Sequence, residues 1–319
     1  MRVSLFLPTL DGMPLLERAL DAIDRQRHDF ELERLAIDSG SRDGTVACLE
    51  RHGFRVERID RREFDHGSTR DRGLARATGE LVVLMTQDAV PADERWLAHL
   101  AAAFDDPSVV AAYSRQVPRD DCNPLVADRL RAWAAGRAAS AVQQLAPANS
   151  LDELPPAERL ARCAYDNVSG CVRRSTWERF RFGPCSSGED VVFGKRVIEA
   201  GHRIAFCADS VVIHSHDRTP RDEGRRTYAD HIVLAEHFGI RVLPTLRACV
   251  RSIGDTRRVH SERLAALGLP PAERRRLERW ARGFAFWTEV GTYLGGNAAR
   301  LRSGLGGWTL GLVDRWMRR

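Results

Sequence analysis

A single carboxylate follows an apolar run in the segment GELVVLMTQDAVP, residues 79–91. Residues 81–85 have the composition of a buried strand, and Asp88 stands just beyond its end. Asp11 and Asp38 also follow predicted strands. The carboxyl ends of parallel strands meet at one edge of a sheet, where these acids would repel one another unless a cation or the donors of a ligand compensate them. The alternative is that Asp11 and Asp38 only cap turns.

Two adjacent acids begin a predicted helix in the segment EDVVFGKRVIEAG, residues 189–201. A carboxylate such as Asp190 that removes a proton from an attacking hydroxyl contributes about 10²–10⁴ in rate. The alternative is a capping box, because Ser187 precedes Asp190 by three residues and acids are favoured at a helix N-terminus. Both interpretations leave Asp190 at the start of the helix and Glu189 beside it.

Two histidines, His214 and His216, end the predicted strand SVVIHSH, residues 210–216. Residues two apart on a strand point to the same side, and neutral imidazole is a good ligand for divalent transition metals. The alternative is a stacked or hydrogen-bonded pair near a bound substrate. His66, before a glycine in FDHGSTR, is expected to order a loop.

The elements that must position these residues alternate regularly over the first 115 residues. Strands are predicted at 2–7, 32–38, 54–59, 80–85 and 108–114, and helices at 13–26, 43–53, 67–79 and 93–104. Repeated strand–helix units of this length predict an α/β fold with a doubly wound, mostly parallel sheet. Such a sheet binds ligands beyond the carboxyl ends of its strands.

The pattern changes after residue 115. The sequence predicts a helix over 124–145, a loop over 146–159, a strand running into a short helix over 167–180, and a strand after the helix that Gly201 ends. Beyond residue 220 the chain is predicted to be helical, with a break at Pro270 and Pro271. We therefore expect one domain over 1–220, with halves 1–115 and 116–220, and a helical extension over 221–319.

Several classes of protein are excluded by what the sequence lacks. No GxGxxG or GxxxxGK[ST] loop is present, which argues against a dinucleotide dehydrogenase and a P-loop enzyme. The seven cysteines form no CxxC pair, which favours reduced thiols and the cytoplasm. The apolar start is too short for a signal peptide, and no run reaches the ~18 apolar residues of a membrane span.

The C-terminal extension is basic, with 19 arginines against 10 acidic residues over 221–319. Its last 40 residues combine aromatic and basic side chains: Trp280, Trp287, Trp308, Trp316, Arg300, Arg302, Arg315, Arg318 and Arg319. This mixture suits the interface of an anionic membrane, and no nucleic-acid partner is expected. The alternative is that the tryptophans pack on the catalytic domain or on a second subunit.

Four segments in this order and spacing resemble family 2 inverting glycosyltransferases of the GT-A fold: SLFLPTLDG, LAIDSGSRDGT, HGSTRDRGLARATGELVVLMTQDAVP and SGEDVVFGKRVIEAG. The TQDA form of the usual DxD motif and the later HSH resemble the rhamnosyltransferase-like branch. The resemblance covers roughly residues 1 to 240. The sequence departs from the family pattern at Thr86, which replaces the first acid of DxD, so the protein offers fewer charges to a cation.

The resemblance implies a role for each candidate residue. Asp190 would be the catalytic base and Glu189 would lie on the acceptor side. Mg²⁺ or Mn²⁺ would be bound by Asp88 with His214 and His216. The nucleotide sugar would be bound by Thr9, Asp11, Asp38, Arg70, Gln87 and Asp88. Arg70 would face the base or the diphosphate, and its alternative is an exposed helix arginine.

The resemblance further implies transfer of rhamnose or another deoxyhexose, with inversion, from a nucleotide diphosphate sugar for which dTDP-rhamnose is favoured. The acceptor would be a saccharide or polyprenyl-linked saccharide in surface polysaccharide synthesis, in the cytoplasm or on the inner face of the cell membrane. Two alternatives stay open. A sugar nucleotidyltransferase would need a Gly- and Arg/Lys-rich loop that LPTLDGMPLL lacks, and the missing first acid also allows a non-catalytic nucleotide-sugar-binding or scaffold protein.

Overall fold

The computed structural model describes residues 1–146, 150–185, 187–216 and 218–304. The strands are β1 Arg2–Thr9, β2 Glu31–Asp38, β3 Arg55–Arg58, β4 Leu81–Met85, β5 Val90–Pro91, β6 Val109–Val117, β7 Ala141–Gln143, β8 Ser169–Arg173 and β9 Arg203–Ile213. The α-helices are α1 Leu15–Asp24, α2 Thr45–Arg51, α3 His66–Arg76, α4 Trp96–Ala102, α5 Pro124–Ala132, α6 Pro156–Arg162, α7 Arg174–Arg179, α8 Glu189–Glu199, α9 Pro220–Phe238, α10 Leu246–Ala266, α11 Pro271–Gly296 and α12 Ala298–Gly304.

The strands form one sheet in the order β3-β2-β1-β4-β8-β6-β9-β5, with β7 paired to β9. Strands β1 to β4 are parallel neighbours, as the βα alternation predicts. Strand β8 runs antiparallel between β4 and β6, and β6 pairs parallel with β9. The predicted α/β class is confirmed, and the second half of the sheet is mixed rather than parallel.

The parallel half of the sheet is buried because its strands are apolar along their length. All five residues of β4 are buried, and α1 covers the sheet with Leu16, Leu20 and Ile23. Each such side chain contributes about 1.5–3 kcal/mol when it leaves water. This packing fixes where β1, β2 and β4 end, and therefore where the polar residues after them lie.

Two predicted elements differ from the structure. The helix predicted over 124–145 ends at Ala132, and the chain continues into β7 on the sheet edge. A Cβ on Gly136 would lie 2.4 Å from the Leu130 carbonyl oxygen, so the backbone folds back on itself there. The loop predicted over 146–159 contains the start of α6, because proline is favoured in the first turn of a helix. Residues 147–149 of that loop lie outside the described residues.

The chain divides into two compact units. The first comprises residues 1–122 and 126–215 and contains the sheet. The second comprises 123–125 and 216–319 and is helical where it is described. Within it, α9 and α11 pack at glycines, since a Cβ on Gly291 would lie 2.4 Å from the Gly224 carbonyl oxygen. Across the described residues, no helix is both long and apolar enough to cross a membrane.

Candidate active site

Asp88 lies beside His214 because two short strand segments pair next to them. Strand β5 is antiparallel to β9, with Val90 opposite Ile213. The residues just before β5 therefore lie against the residues just after β9. Asp88 Oδ2 lies 3.6 Å from His214 Nε2; the Asp88 side chain is 21% exposed and that of His214 is 5% exposed. The sheet thus brings a strand-end carboxylate from one half of its domain to an imidazole from the other.

His216 completes a group that can hold a metal ion. The ligand atoms of Asp88, His214 and His216 all lie within 4.8 Å of one another. His214 Nδ1 lies 3.0 Å from the side-chain oxygen of Gln116, so Nε2 is the ring nitrogen turned toward Asp88. One carboxylate and two imidazoles suit a divalent transition-metal ion. The residues named from the sequence as metal ligands are therefore brought together.

Gln87 connects the end of β4 to the loop after β1. Its side-chain oxygen accepts from the Leu10 N–H at 2.8 Å, and its amide nitrogen donates to the Leu10 carbonyl at 2.9 Å. A Cβ on Gly12 would lie 2.9 Å from the same side-chain oxygen, so a larger residue there would require the Gln87 side chain to shift. The contacts place Gln87 as a bridge between two loops.

The two acids after β1 and β2 occupy different environments. Asp38 is 1% exposed and accepts hydrogen bonds from Thr9, from the N–H groups of Gly40 and Ser41, and from the Ser41 hydroxyl. Asp11 is exposed, with φ of 44°, and accepts from the Arg42 N–H at 2.9 Å. Both acids hold turns together, as the alternative interpretation predicts, and Asp11 also stays open to solvent.

Arg70 is 4% exposed, so its interpretation as an exposed helix arginine is wrong. Its guanidinium lies 3.1 Å from the Glu189 carboxylate and donates to the His66 carbonyl at 3.0 Å. Glu189 also accepts from the side chain of Asn167 at 3.0 Å. Burial opposes the charge of Glu189, but Arg70, His66 and Asn167 outweigh it, and the pKa of Glu189 lies below its ordinary value. Arg70 and Glu189 thus form a buried ion pair between α3 and α8.

Asp190 is half-buried in the first turn of α8. Its carboxylate accepts from the Val191 N–H at 2.8 Å and lies 3.5 Å from the Asn167 N–H. Burial first, then the charges of Glu189 and Asp166, raise the pKa of Asp190 well above its ordinary value. A carboxylate with a raised pKa is a stronger base than an ordinary one, which suits proton removal.

The capping box predicted at the start of α8 is not formed. The helix begins at Glu189 and its N-cap is Gly188, which has a φ of 71°. Ser187 therefore lies one residue before the N-cap, outside the position that a capping box requires. The left-handed glycine turns the chain sharply into α8, so that both acids fall in its first turn.

The HGSTRD motif at the start of α3 holds the loop that leads to α8. Asp65 accepts from the Ser68 and Cys185 N–H groups, and Asp71 accepts from those of Phe182 and Gly183. A Cβ on Gly67 would lie 1.9 Å from the Gly183 carbonyl oxygen. The co-occurrence of HGSTRD and SGED in the sequence therefore has a structural reason: one motif positions the other. His66 is the first residue of α3, and its ring Nδ1 lies 3.3 Å from the Arg70 guanidinium.

Three residues that the sequence analysis missed connect the parts of the site. Asp166 accepts from the Gln116 side chain at 2.7 Å, and Asn167 contacts both acids of α8. The carbonyl of Val168 accepts from the Thr86 N–H at 3.1 Å. The signal for Asp166 and Asn167 is a polar pair at the start of the strand predicted from residue 167, whereas Asp88 is recognised at the end of a strand.

A mixed sheet with a carboxylate and imidazoles at its strand ends, and an acidic pair opening a later helix, places polar side chains at the edge where open α/β sheets bind ligands. The chain belongs to glycosyl transferase family 2, whose family model matches residues 4–184. It is 31% identical over 232 residues to the O-antigen chain rhamnosyltransferase RfbN of Salmonella typhimurium, covering 72% of this chain and 71% of that protein.

Two further proteins are similar to this chain, one in sequence and one in fold. The O-antigen chain rhamnosyltransferase WbaN of Salmonella anatum is 32% identical over 197 residues, which cover 61% of this chain and 60% of that protein, less than two thirds of either. The fold is shared with the mannosyltransferase PcManGT from Pyrobaculum calidifontis, solved in complex with GDP-Man and Mn²⁺. That structure has a TM-score of 0.53 at 18% identity, covering 99% of this chain and 81% of that one. The predicted family and fold class are confirmed.

Proposed function

We propose that this glycosyltransferase transfers rhamnose or another deoxyhexose, with inversion, from a nucleotide diphosphate sugar to a saccharide or polyprenyl-linked saccharide in O-antigen or related surface polysaccharide synthesis. The observation that carries the proposal is the grouping of Asp88, His214 and His216 at the strand ends of a family 2 chain. The names of the curated relatives support rhamnose, and dTDP-rhamnose is the favoured donor.

In this proposal Asp88, His214 and His216 hold a divalent cation, and two imidazoles favour Mn²⁺ over Mg²⁺. A bound cation supplies charge that stabilises the leaving diphosphate. The single carboxylate is compatible with this role, because diphosphate oxygens and water can complete the coordination. Asp11 is open to solvent and would contact the nucleotide, while Thr9, Asp38 and Gln87 fix the loops that carry it.

Asp190 acts as the base in the transfer step. It takes the proton of the acceptor hydroxyl as that oxygen bonds to the anomeric carbon, and the bond from this carbon to the diphosphate breaks with its electron pair on the leaving group. One displacement inverts the anomeric centre without a covalent sugar–enzyme intermediate. The burial of Glu189 against Arg70 supports a structural role in fixing the start of α8, in place of the acceptor-side role that the resemblance implies.

We further propose that the second unit docks on the cytoplasmic face of an anionic membrane, where a lipid-linked acceptor would be found. Leu246 and Val250 are 62% and 64% exposed on α10, each followed in the chain by an exposed arginine, Arg247 and Arg251. Trp280 stacks on Phe284 at 4.6 Å, so this tryptophan packs inside its unit.

The other aromatic and basic residues named from the sequence for membrane docking have different surroundings. Trp287 packs against Gly224, and Arg300 and Arg302 are exposed on α12. Trp308, Trp316, Arg315, Arg318 and Arg319 lie outside the described residues. Co-sedimentation with phosphatidylglycerol vesicles that is lost in Leu246→Asp/Val250→Asp would support docking through α10. Equal sedimentation of both proteins would contradict it.

The donor site is tested by thermal stabilisation with nucleoside diphosphates and their sugars, each with and without Mn²⁺. We expect a shift selective for dTDP or UDP compounds that requires the cation and disappears in Asp88→Ala. The matched control is Asp255→Ala, which removes an acid that is 59% exposed in the second unit. No shift with any nucleotide would favour the alternative of a non-catalytic scaffold.

A further inference from the structure

The ring of His214 is held by a chain of hydrogen bonds whose direction is determined by chemistry. A carboxylate only accepts hydrogen bonds, so the Gln116 amide must turn its NH₂ group toward Asp166, which it meets at 2.7 Å. The amide oxygen of Gln116 then faces His214 Nδ1 at 3.0 Å. Because an amide oxygen also only accepts, Nδ1 must carry the proton. A neutral ring then has its lone pair on Nε2.

Asp166 is itself fixed in place. The carboxylate accepts from the Trp133 indole N–H at 3.1 Å and from the Val168 N–H at 2.9 Å, in addition to Gln116. Gln116, Asp166 and His214 are 3%, 9% and 4% exposed, so water competes little for these bonds. Neither the amide nor the carboxylate can reorient without leaving a buried donor unpaired.

We propose that Gln116 and Asp166 are positioning residues that hold His214 in the Nδ1–H tautomer and so present Nε2 as a metal-binding atom. The inference rests on the proposed metal site and explains how it is preformed. A lone pair and the Asp88 carboxylate 3.6 Å apart repel each other, and a cation between them makes both contacts favourable. Substituting the hydrogen-bond partner of a metal-binding histidine typically weakens metal affinity 10- to 100-fold.

The hydrogen-bonded chain Asp166–Gln116–His214 is called the relay below. The first test needs no metal and no substitution in this relay. Long-range ¹⁵N–¹H correlation spectra of the full chain, labelled at histidine and recorded at pH 8.5 without metal, report the tautomer of each ring. The His214 signals are assigned by their loss in His214→Gln. The proposal predicts the Nδ1–H tautomer for His214. An Nε2–H tautomer would overturn it, whatever the outcome for metal binding.

The second test measures binding of Mn²⁺ alone by the electron paramagnetic resonance of free Mn²⁺. Gln116→Met keeps the length of the side chain and removes both hydrogen bonds. We expect it to weaken Mn²⁺ binding about 10- to 100-fold and to yield a mixture of His214 tautomers. The control is Gln143→Met, because Gln143 is also buried and hydrogen-bonded, to Tyr113 and the Ala164 carbonyl. Gln143→Met should change neither the Mn²⁺ affinity nor the His214 tautomer.

A rescue variant distinguishes the relay from a general packing role. The double variant Gln116→Glu/Asp166→Asn places an acceptor against Nδ1 and a donor behind it. We expect it to restore the Nδ1–H tautomer and part of the Mn²⁺ affinity, since Trp133 loses an acceptor. Mn²⁺ affinity in Gln116→Met within twofold of the wild type would overturn the proposal. Loss of Mn²⁺ binding in His214→Gln, with the wild-type tautomer as predicted, supports the metal site and the relay separately.

Discussion

The buried ion pair between Arg70 and Glu189 allows a quantitative prediction. Their side chains are 5% and 6% exposed, so Arg70→Met leaves the Glu189 carboxylate buried without its countercharge. Removing one partner of a buried pair typically costs 3–5 kcal/mol. The carboxylate keeps the Asn167 amide at 3.0 Å, which places the expected loss near the lower end, at about 3 kcal/mol.

The sign of the pH dependence should reverse in this variant. In the wild type the pKa of Glu189 is lowered, so the ion pair stabilises the fold above the unfolded pKa of 4.5 and this contribution is lost as the pH falls through the folded pKa. Without Arg70, burial raises the pKa of Glu189. The folded variant then binds more protons than the unfolded chain, and its stability decreases as the pH rises above 4.5.

Urea unfolding at pH 7 and pH 5, followed by tryptophan fluorescence, measures both effects. Arg258→Met is the matched control, because Arg258 is 62% exposed beside Asp255 and Glu262, where an ion pair contributes about 0.2–1 kcal/mol. Arg70→Met/Glu189→Gln should recover most of the loss. A loss below about 1 kcal/mol in Arg70→Met, or one equal at both pH values, would refute the assignment of a buried, charge-compensated pair.

Three further outcomes are expected. Asp190→Asn should lower kcat about 10²–10⁴-fold at an unchanged donor Kd. Because the pKa of Asp190 is raised, its charge destabilises the fold as the pH rises above 3.8, so this variant should also melt higher at pH 8 but not at pH 3.5; an unchanged kcat would contradict the role as base. Asp88→Asn should weaken nucleotide binding in Mn²⁺ but not in EDTA, as titration calorimetry would show, and equal loss in both would argue against metal ligation. Gly67→Ala should destabilise by about 1–3 kcal/mol in urea unfolding because its Cβ meets the Gly183 carbonyl, whereas Gly254→Ala, which has open space, should be neutral or stabilising.

The sequence predicts the first half of the fold well because hydrophobic periodicity is local. Strand β4 is a continuous apolar run, helix α1 has a clear helical period, and the glycines at positions 53 and 201 mark where helices end. The antiparallel insertion of β8 between β4 and β6 is not predicted, because pairing between strands distant in sequence leaves no periodic trace. The false extension of α5 has the same origin, since AAGRAAS favours a helix until the approach of Leu130 to Gly136 is known.

The candidate site likewise contains residues that local sequence signals predict and residues that depend on contacts between distant parts of the chain. Asp88, His214 and Asp190 are predicted because strand ends and helix starts are recognisable in sequence. The burial of Arg70 against Glu189 and the relay through Gln116 are not, since each depends on contacts across more than 90 residues of chain. Asp38 and Gln87 illustrate a further limit: residue type predicts a polar contact but does not distinguish a ligand from the protein's own backbone.

Release of dTDP from dTDP-rhamnose in the presence of Mn²⁺ measures whether transfer depends on a metal held by Asp88 and His214. The assay compares the wild type with His214→Ala, both with a crude polyprenyl-linked saccharide acceptor fraction. We expect release that requires the acceptor fraction, stops in EDTA and falls at least about tenfold in His214→Ala. Release that is equal in the two proteins and insensitive to EDTA would contradict a transferase that acts through a metal held by Asp88 and His214.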